Sequence, residues 1–231
     1  MKYVSGCLIC GADLVYLPQD ELQDCVYCGR QVSSNARCSQ GHFVCDACHS
    51  ADAGSLIEKF CAETTWKDPL EIAVTLMRHP SIAMHGPEHH FLVPAVLLAA
   101  YDNQKSIENR AGKIQQARKR AEGIRGGSCG LCGNCGAGVG TGIFISLITG
   151  ATPLARREWQ LSNRMTAESL LAIAEHGGPR CCKRDTFLAL QSAQAFLQRW
   201  FGQSLEMAAA IHCEFHQFNK ECLRTDCPFF A

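Results

Sequence analysis

The pattern of apolar and polar positions predicts a helical body that follows a short, turn-rich N-terminal segment. Apolar residues recur at the spacing of one helix face at Leu70, Ala73, Val74 and Met77. Asp68 and Pro69 precede them, and these two residue types favour the N-cap and the first turn of a helix. This stretch therefore carries both the face and the start signal of a helix.

Similar signals predict further helices along residues 52–231. They are expected at 52–62, from Gly86-Pro87 to Tyr101, within 104–124, from a Thr166 cap to Gly177-Gly178, from an Asp185 cap to Phe201, and briefly from Ser204. No alternation of strands and helices is visible, so parallel βαβ units are not expected. We predict a mainly α fold with two domains, a small β-containing zinc module at 1–50 and a helical metal-binding domain at 51–231.

Composition narrows the functional class. Of 231 residues 16 are Cys, while 22 basic and 22 acidic residues cancel, which argues against a dedicated nucleic-acid coat. The apolar run 91–101 is too short to cross a membrane, which takes about 20 residues, and 1–7 lack the apolar stretch of a signal peptide. We therefore expect a cytoplasmic protein without a membrane partner, in which clustered cysteines are metal ligands or reactive thiols.

The N-terminal cysteines have the spacing of zinc ligands. Two C-x2-C-G knuckles and a C-x3-H-x2-C-x2-C string supply eight ligands: Cys7, Cys10, Cys25, Cys28, Cys38, His42, Cys45 and Cys48. Eight such ligands make two tetrahedral Zn²⁺ sites. Sequential pairing would give a zinc ribbon followed by a second site. The stretch 25–48 also resembles the first six ligands of a RING finger, which implies interleaved pairing, and the two pairings stay open here.

A second cysteine set lies in the helical body. Cys129, Cys132 and Cys135 form C-x2-C-x2-C, the ligand run of bacterial [4Fe–4S] ferredoxins. A fourth ligand would come from Cys181, Cys182 or the tail, or one iron would stay open to substrate. Zinc and reactive thiols are the alternatives. The glycines at 136–142 are interpreted as allowing close backbone approach around a cluster.

The tail and the Cys181-Cys182 pair complete this set. Cys213, Cys222 and Cys227, the last followed by Pro, are candidate cluster ligands, or with His216 a separate zinc site. Cys181 and Cys182 stand between cations before a predicted helix, an environment that favours thiolates as ligands or as nucleophiles. Cys61 lies in an apolar helical pattern and is predicted to be a core residue.

Polar clusters outside the cysteine motifs suggest roles in proton transfer and in binding anions. His85, Glu88 and His89 precede a buried-looking helix and are candidates for acid–base catalysis, with helix capping as the alternative. The stretch 104–125 has five surplus positive charges, which suit RNA or a solvated helix face.

The double knuckle, the string 41–49, the segment 84–90 and the Arg180–Arg184 segment together resemble an uncharacterised cysteine-rich family of unknown function. That resemblance implies a home in anaerobic bacteria and archaea and, as a partner, an S-adenosylmethionine-dependent methyltransferase. We expect two zinc ions and a [4Fe–4S] cluster in an enzyme of sulfur, redox or small anionic-substrate chemistry, an oxidoreductase, lyase or sulfur-transfer enzyme. The alternative is a non-catalytic zinc adaptor or RNA-binding module.

Overall fold

The computed structural model describes residues 7–49 and 51–230. The expectation about a leader at 1–7 and the predicted domain boundary at residue 50 therefore fall largely outside the described residues. In the described part, a small two-stranded sheet precedes a set of packed helices. This architecture confirms the prediction of a mainly α fold with strands confined to the N-terminal module.

A β-hairpin forms the N-terminal module. Strand β1 (Leu14–Asp24) pairs antiparallel with β2 (Gln31–Cys38), from Leu14 opposite Cys38 to Asp24 opposite Gln31. The register shifts between Tyr16 and Glu21, and an isolated parallel bridge joins Cys25 to Phe43. The first cysteine knuckle precedes β1 and the second lies between β1 and β2, so the two knuckles lie at opposite ends of the hairpin.

Nine α-helices follow in the described residues. They are α1 (Asp46–His49), α2 (Ala53–Glu63), α3 (Pro69–Arg78), α4 (Glu88–Lys105), α5 (Arg110–Glu122), α6 (Ser128–Leu131), α7 (Gly136–Thr149), α8 (Arg157–Glu175) and α9 (Cys182–Phe201). Two 3-10 turns, His216–Phe218 and Arg224–Asp226, lie in the tail. Within the described residues, no helix is both long and apolar enough to cross a membrane.

Side-chain caps start two of the predicted helices where expected. Asp52 accepts a hydrogen bond from the Ser55 N–H and caps α2, and Asp68 accepts bonds from the N–H groups of Leu70 and Glu71 at the start of α3. Each cap satisfies N–H groups that have no partner inside the helix. The other carboxylate oxygen of Asp68 accepts the Ala208 N–H at 3.0 Å, which ties the tail to the body.

Three predicted helix starts are wrong. Thr166 lies in the middle of α8 rather than at its cap, because its hydroxyl bonds the Ser162 carbonyl four residues earlier and the helix already begins at Arg157. Asp185 lies in the first turn of α9, whose N-cap is Cys181. No helix begins at Ser204 in the described tail, where the backbone instead bonds Gln194 through Leu205.

Helix α4 lies at the centre of the body and packs against α2, α3, α5, α7 and α9. The glycines of 136–142 form part of α7 rather than a loop, which corrects their interpretation as a wrapping around a cluster. A Cβ at Gly140 would lie 2.8 Å from Pro94 Cδ, and one at Gly142 would lie 2.9 Å from the Ser162 carbonyl oxygen. Glycine therefore lets α7 approach α4 and α8 closely.

The N-terminal module packs on the helical body through Tyr27. The ring of Tyr27 is 1% exposed, it contacts Phe60 and His79 edge to face, and its hydroxyl donates to the Thr75 carbonyl at 3.3 Å. His79 Nε2 lies 3.0 Å from the Cys48 carbonyl oxygen. Module and body thus share one continuous core.

Candidate metal centres

The structure gathers the eight N-terminal ligands into two tetrads. Site 1 is Cys7, Cys10, Cys38 and His42, and site 2 is Cys25, Cys28, Cys45 and Cys48. Within each, the ligand atoms lie within 4.8 Å of one another. The pairing is the interleaved one, because the hairpin returns Cys38 to the first knuckle while the Cys25–Phe43 bridge brings α1 to the second.

Glycines and backbone amides shape the knuckles. Gly11 and Gly29 adopt φ values of 75° and 62°, and each donates its N–H to the carbonyl of the knuckle's first cysteine at 2.8 Å. The left-handed conformation favours glycine at these positions. The sulfur of Cys7 accepts the Ile9 N–H at 3.4 Å, and that of Cys25 accepts the Cys45 N–H at 3.4 Å. Such bonds stabilise the sulfur as a thiolate.

The tetrads fit metal ions such as zinc. Tetrahedral bonds of about 2.3 Å place two thiolates about 3.8 Å apart. The Cys28 and Cys45 sulfurs are 3.8 Å apart, and those of Cys10 and Cys38 are 3.5 Å apart. His42 Nδ1 is buried and has no hydrogen-bond partner among the described residues, which suits a ligand atom. Site 1 and site 2 can each hold one ion.

At site 1 the pKa values of Cys7 and Cys38 shift in opposite directions. Burial raises the pKa of Cys7 to about 11. Burial also opposes ionisation of Cys38, but the Gln40 N–H and the His42 side chain outweigh it and lower that pKa to about 6. Cys38 is thus ready to ligate at neutral pH, while Cys7 ionises when a cation binds.

Four cysteines of the body line a single cavity. We call Cys181, Cys213, Cys222 and Cys227 the body tetrad, and the small space of about 20 Å³ that they line the tail cavity. Its other walls are mostly apolar: Met84, Leu223, Phe229 and Phe230. Among the described residues only site 1 and site 2 bring three or more potential ligand atoms within 4.8 Å, so the body tetrad is more widely spaced than a zinc site.

The tail is fixed on the body by its own contacts. Arg78 holds Glu214 through two bonds of 2.7 Å, and the Cys213 N–H donates to the Phe229 carbonyl at 2.7 Å. Asn219 is 7% exposed and its amide lies 3.5 Å from the Cys181 sulfur. These contacts bring three tail thiols to the start of α9, more than 30 residues away along the chain.

Donors surround the sulfurs of the body tetrad. The N–H groups of Lys183 and Arg184 lower the pKa of Cys181, and that of Phe215 lowers the pKa of Cys213, although burial raises both pKa values overall. Cys222 accepts from the Arg224 N–H at 3.4 Å, with Arg224 in the left-handed region at φ 51°. Hydrogen bonds to sulfur are one of the factors that set the potential of an iron–sulfur cluster.

Two buried cations lie beside these thiols. Lys183 is fully buried and its ammonium lies 5.2 Å from the centre of the Phe215 ring. Arg184 is 3% exposed, pairs with Asp185 at 3.2 Å and donates to the Gly177 and Pro179 carbonyls. Burial outweighs these cations, because it raises the pKa of Cys181 and raises that of Cys213 to about 11, so the predicted thiolate at Cys181 forms only when a cationic group binds.

The triad Cys129, Cys132 and Cys135, which we call the loop triad, lies elsewhere. Cys129 and Cys135 line a second space of about 620 Å³, the loop cavity, whereas Cys132 is exposed. Cys135 lies 3.7 Å from Asp185 Oδ2, and burial raises the Cys135 pKa to about 12. The structure therefore separates the loop triad from the tail cysteines, with which the sequence had grouped it as cluster ligands.

The remaining predicted site residues have local roles in the structure. Burial raises the pKa of Cys182 to about 11 and outweighs Arg180 and the Gly86 N–H, so the neighbouring cation and the N–H donor do not make it a thiolate. Glu88 accepts the Ala83 N–H at 2.7 Å, and His89 Nδ1 lies 3.2 Å from the Gly86 carbonyl oxygen. These contacts hold the turn before α4, but no side chain caps the helix, whose N-cap is Pro87, so the capping alternative is not confirmed.

His85, unlike Glu88 and His89, contacts the tail. Its Nε2 lies 3.1 Å from Asn219 Oδ1 and 3.4 Å from the Glu221 carboxylate. A polar chain thus runs from Glu221 at the surface through His85 and Asn219 to the Cys181 sulfur. Sequence reasoning missed Asn219 and Asp185 as parts of the site, because neither belongs to a spaced motif.

Two cations of the basic segment 104–125, Arg110 and Arg118, form ion pairs and hydrogen bonds within the fold. Arg110 donates to the Cys61 and Thr64 carbonyls and pairs with Asp102. Arg118 pairs with Glu58 at 2.8 Å and with Glu122 at 3.1 Å. Cys61 is fully buried, and burial raises its pKa, as expected of a core thiol.

Comparison with known proteins gives a family but no activity. A model of the protein family DUF5714, described as a family of unknown function, matches residues 57–230. No curated protein and no solved structure matches the chain significantly. The match runs from within α2 to the tail and includes the loop triad and the body tetrad, while site 1 and site 2 precede it.

Proposed function

The chain belongs to DUF5714, and from its cysteine geometry we propose that it is an iron–sulfur protein with two structural zinc ions. The body tetrad holds the cluster, and site 1 and site 2 hold the zinc. The observation that carries this proposal is that four thiols from distant parts of the chain line one cavity.

Spacing favours a cluster over a single ion at the body tetrad. A zinc ion would draw its thiolates to about 3.8 Å from one another, as in site 2. No three of the tetrad thiols approach within 4.8 Å, a closeness that a single tetrahedral ion would require and a larger iron–sulfur cluster would not. The N–H donors to Cys181, Cys213 and Cys222 are of the kind that stabilise cluster sulfurs.

The surroundings of the tail cavity favour electron transfer as the role of this cluster. Four thiolates occupy the four iron positions, so no iron is left for a substrate. Phe229 and Phe230 line the cavity and its four thiols are half-buried, so limited solvent exposure and donors to sulfur would tune the potential of a bound cluster. His85 and Glu221 can hold a proton near the tail cavity, while the Asn219 amide orients the His85 ring and does not pass the proton on. We propose redox chemistry of a small anionic substrate as the activity.

Anaerobic reconstitution with ferrous iron and sulfide tests the proposal. The protein should turn brown and bind iron and sulfide in equal amounts, and Cys213→Ala and Cys227→Ala should each lose one cluster, about four irons. Cys61→Ala is the matched control, because this buried thiol lies outside every site and its loss should leave the iron unchanged. A protein that takes up only zinc would refute the cluster and favour a non-catalytic zinc adaptor.

A further inference from the structure

We infer that the loop triad holds a second iron–sulfur cluster, and that one iron of this cluster lies open to the loop cavity, where a substrate binds. The inference rests on the proposed function, since it adds the site of chemistry to the electron-transfer cluster of the body tetrad. Three observations support it: the loop's backbone, the walls of the cavity and the position of Arg184.

The loop has the backbone of a ligand loop. The short helix α6 carries Cys129 and lies between Gly127 and Gly133, both in the left-handed region at φ 85° and 67°. Gly130 has an ordinary φ, and a Cβ built there would meet no atom within 4 Å. Neither conformation nor packing within the chain therefore explains Gly130. Close approach of its backbone to a bound group does, as in ferredoxin-type C-x2-C-x2-C loops.

The loop cavity offers ligands on one side and binding groups on the other. Cys129 and Cys135 line it, and no other cysteine of the described chain does. Asp185, whose side chain is 5% exposed, faces the same space beside Cys135. Arg180 at the rim and the apolar Ile173 complete a wall suited to a small organic anion. Cys132, exposed on the same loop and outside the cavity lining, would be the third ligand, and three thiolates would leave one iron of a [4Fe–4S] cluster without a cysteine.

Arg184 lies between the two cavities. Its side chain lines both the tail cavity and the loop cavity. The Asp185 N–H donates to the Cys181 carbonyl at 2.8 Å, so one helical turn carries a tetrad thiol and a wall of the loop cavity. The two clusters are therefore separated by little more than one side chain, a short path for an electron moving from the covered cluster to the open one.

Iron counts of variants separate this inference from the proposed function. The anaerobically reconstituted full chain should bind about eight irons, and Cys132→Ala and Cys227→Ala about four each. Cys132 is exposed, so its loss should not impair folding. A wild-type chain with about four irons that Cys132→Ala keeps and Cys227→Ala loses would overturn the inference alone. Iron that survives Cys227→Ala undiminished would overturn the proposed function instead.

Mild oxidation tests the open iron. Ferricyanide takes one electron from [4Fe–4S]²⁺, and a cluster with three thiolates then releases Fe²⁺ to leave [3Fe–4S]⁺, which electron paramagnetic resonance detects. The Cys227→Ala variant, which retains only the loop cluster, should give this signal at one spin per chain, and Cys132→Ala should not. Eight irons without any [3Fe–4S]⁺ signal would show a fourth protein ligand and overturn the open site.

Discussion

Replacing Tyr27 tests whether the N-terminal module and the helical body form one structural unit. Tyr27→Phe removes the hydroxyl that donates to the Thr75 carbonyl, a loss of about 1 kcal/mol for a buried hydrogen bond. Tyr27→Ala also removes the ring that packs on Phe60 and His79, which brings the cost to about 3–5 kcal/mol, as for other large aromatic residues.

Thermal unfolding of the zinc-loaded protein, followed by circular dichroism at the helical band, measures the effect. A chain of this size loses about 2–4 °C in Tm for each kcal/mol. Tyr27→Phe should therefore lower the midpoint by about 2–4 °C and Tyr27→Ala by about 6 °C or more. The matched control is Tyr16→Ala in the same hairpin, where the ring is 71% exposed. An unchanged helical midpoint in Tyr27→Ala would refute the shared core.

Three further predictions concern the body. Gly142→Ala should destabilise by about 1–3 kcal/mol, because its methyl would press on the Ser162 carbonyl, whereas Gly126→Ala, which meets no atom within 4 Å, should be nearly neutral in a denaturant titration. Burial lowers the pKa of His90 below 6.5, so the unfolded chain takes up a proton that the folded chain does not. Stability should fall as the pH drops from about 6.5 towards the folded value, and His90→Gln should flatten that part of the profile. Asp68→Ala removes the α3 cap and a tail contact and should cost about 1–2 kcal/mol in the same titration.

Local signals predicted the parts of the fold that depend on neighbouring residues. Asp68 and Asp52 cap their helices because a short carboxylate can reach the N–H groups of the next turn. The mainly α class followed from helical spacing and was confirmed. Thr166 misled because threonine also bonds a carbonyl four residues earlier inside a helix, as it does with Ser162. A threonine in the sequence therefore does not by itself distinguish the start of a helix from its interior.

The assembly of the sites depends on the fold and was harder to predict from the sequence. Spacing identified the eight N-terminal ligands, but their interleaving comes from the hairpin and the Cys25–Phe43 bridge, which no local pattern encodes. The grouping of Cys181 with three tail thiols depends on contacts such as Arg78–Glu214 and Asn219–Cys181. These pairs are far apart in sequence and belong to no motif.

The geometry suggests a division of roles among the cysteines. Site 1 and site 2 have the short sulfur separations of single ions and lie against the body through Tyr27, which suits structural metal. The body tetrad lines a small cavity on one side of Arg184, and Cys129 and Cys135 of the loop triad line a larger one on the other side. We therefore look for chemistry at the second pair of sites.

Anomalous X-ray diffraction from crystals of the anaerobically reconstituted protein tests the central claim most directly. Data collected on both sides of the iron edge should show an iron peak in the tail cavity, bounded by the sulfurs of Cys181, Cys213, Cys222 and Cys227. Data at the zinc edge should show one peak in site 1 and one in site 2. A zinc peak among the body tetrad, or an iron difference map without density in the tail cavity, would contradict the account.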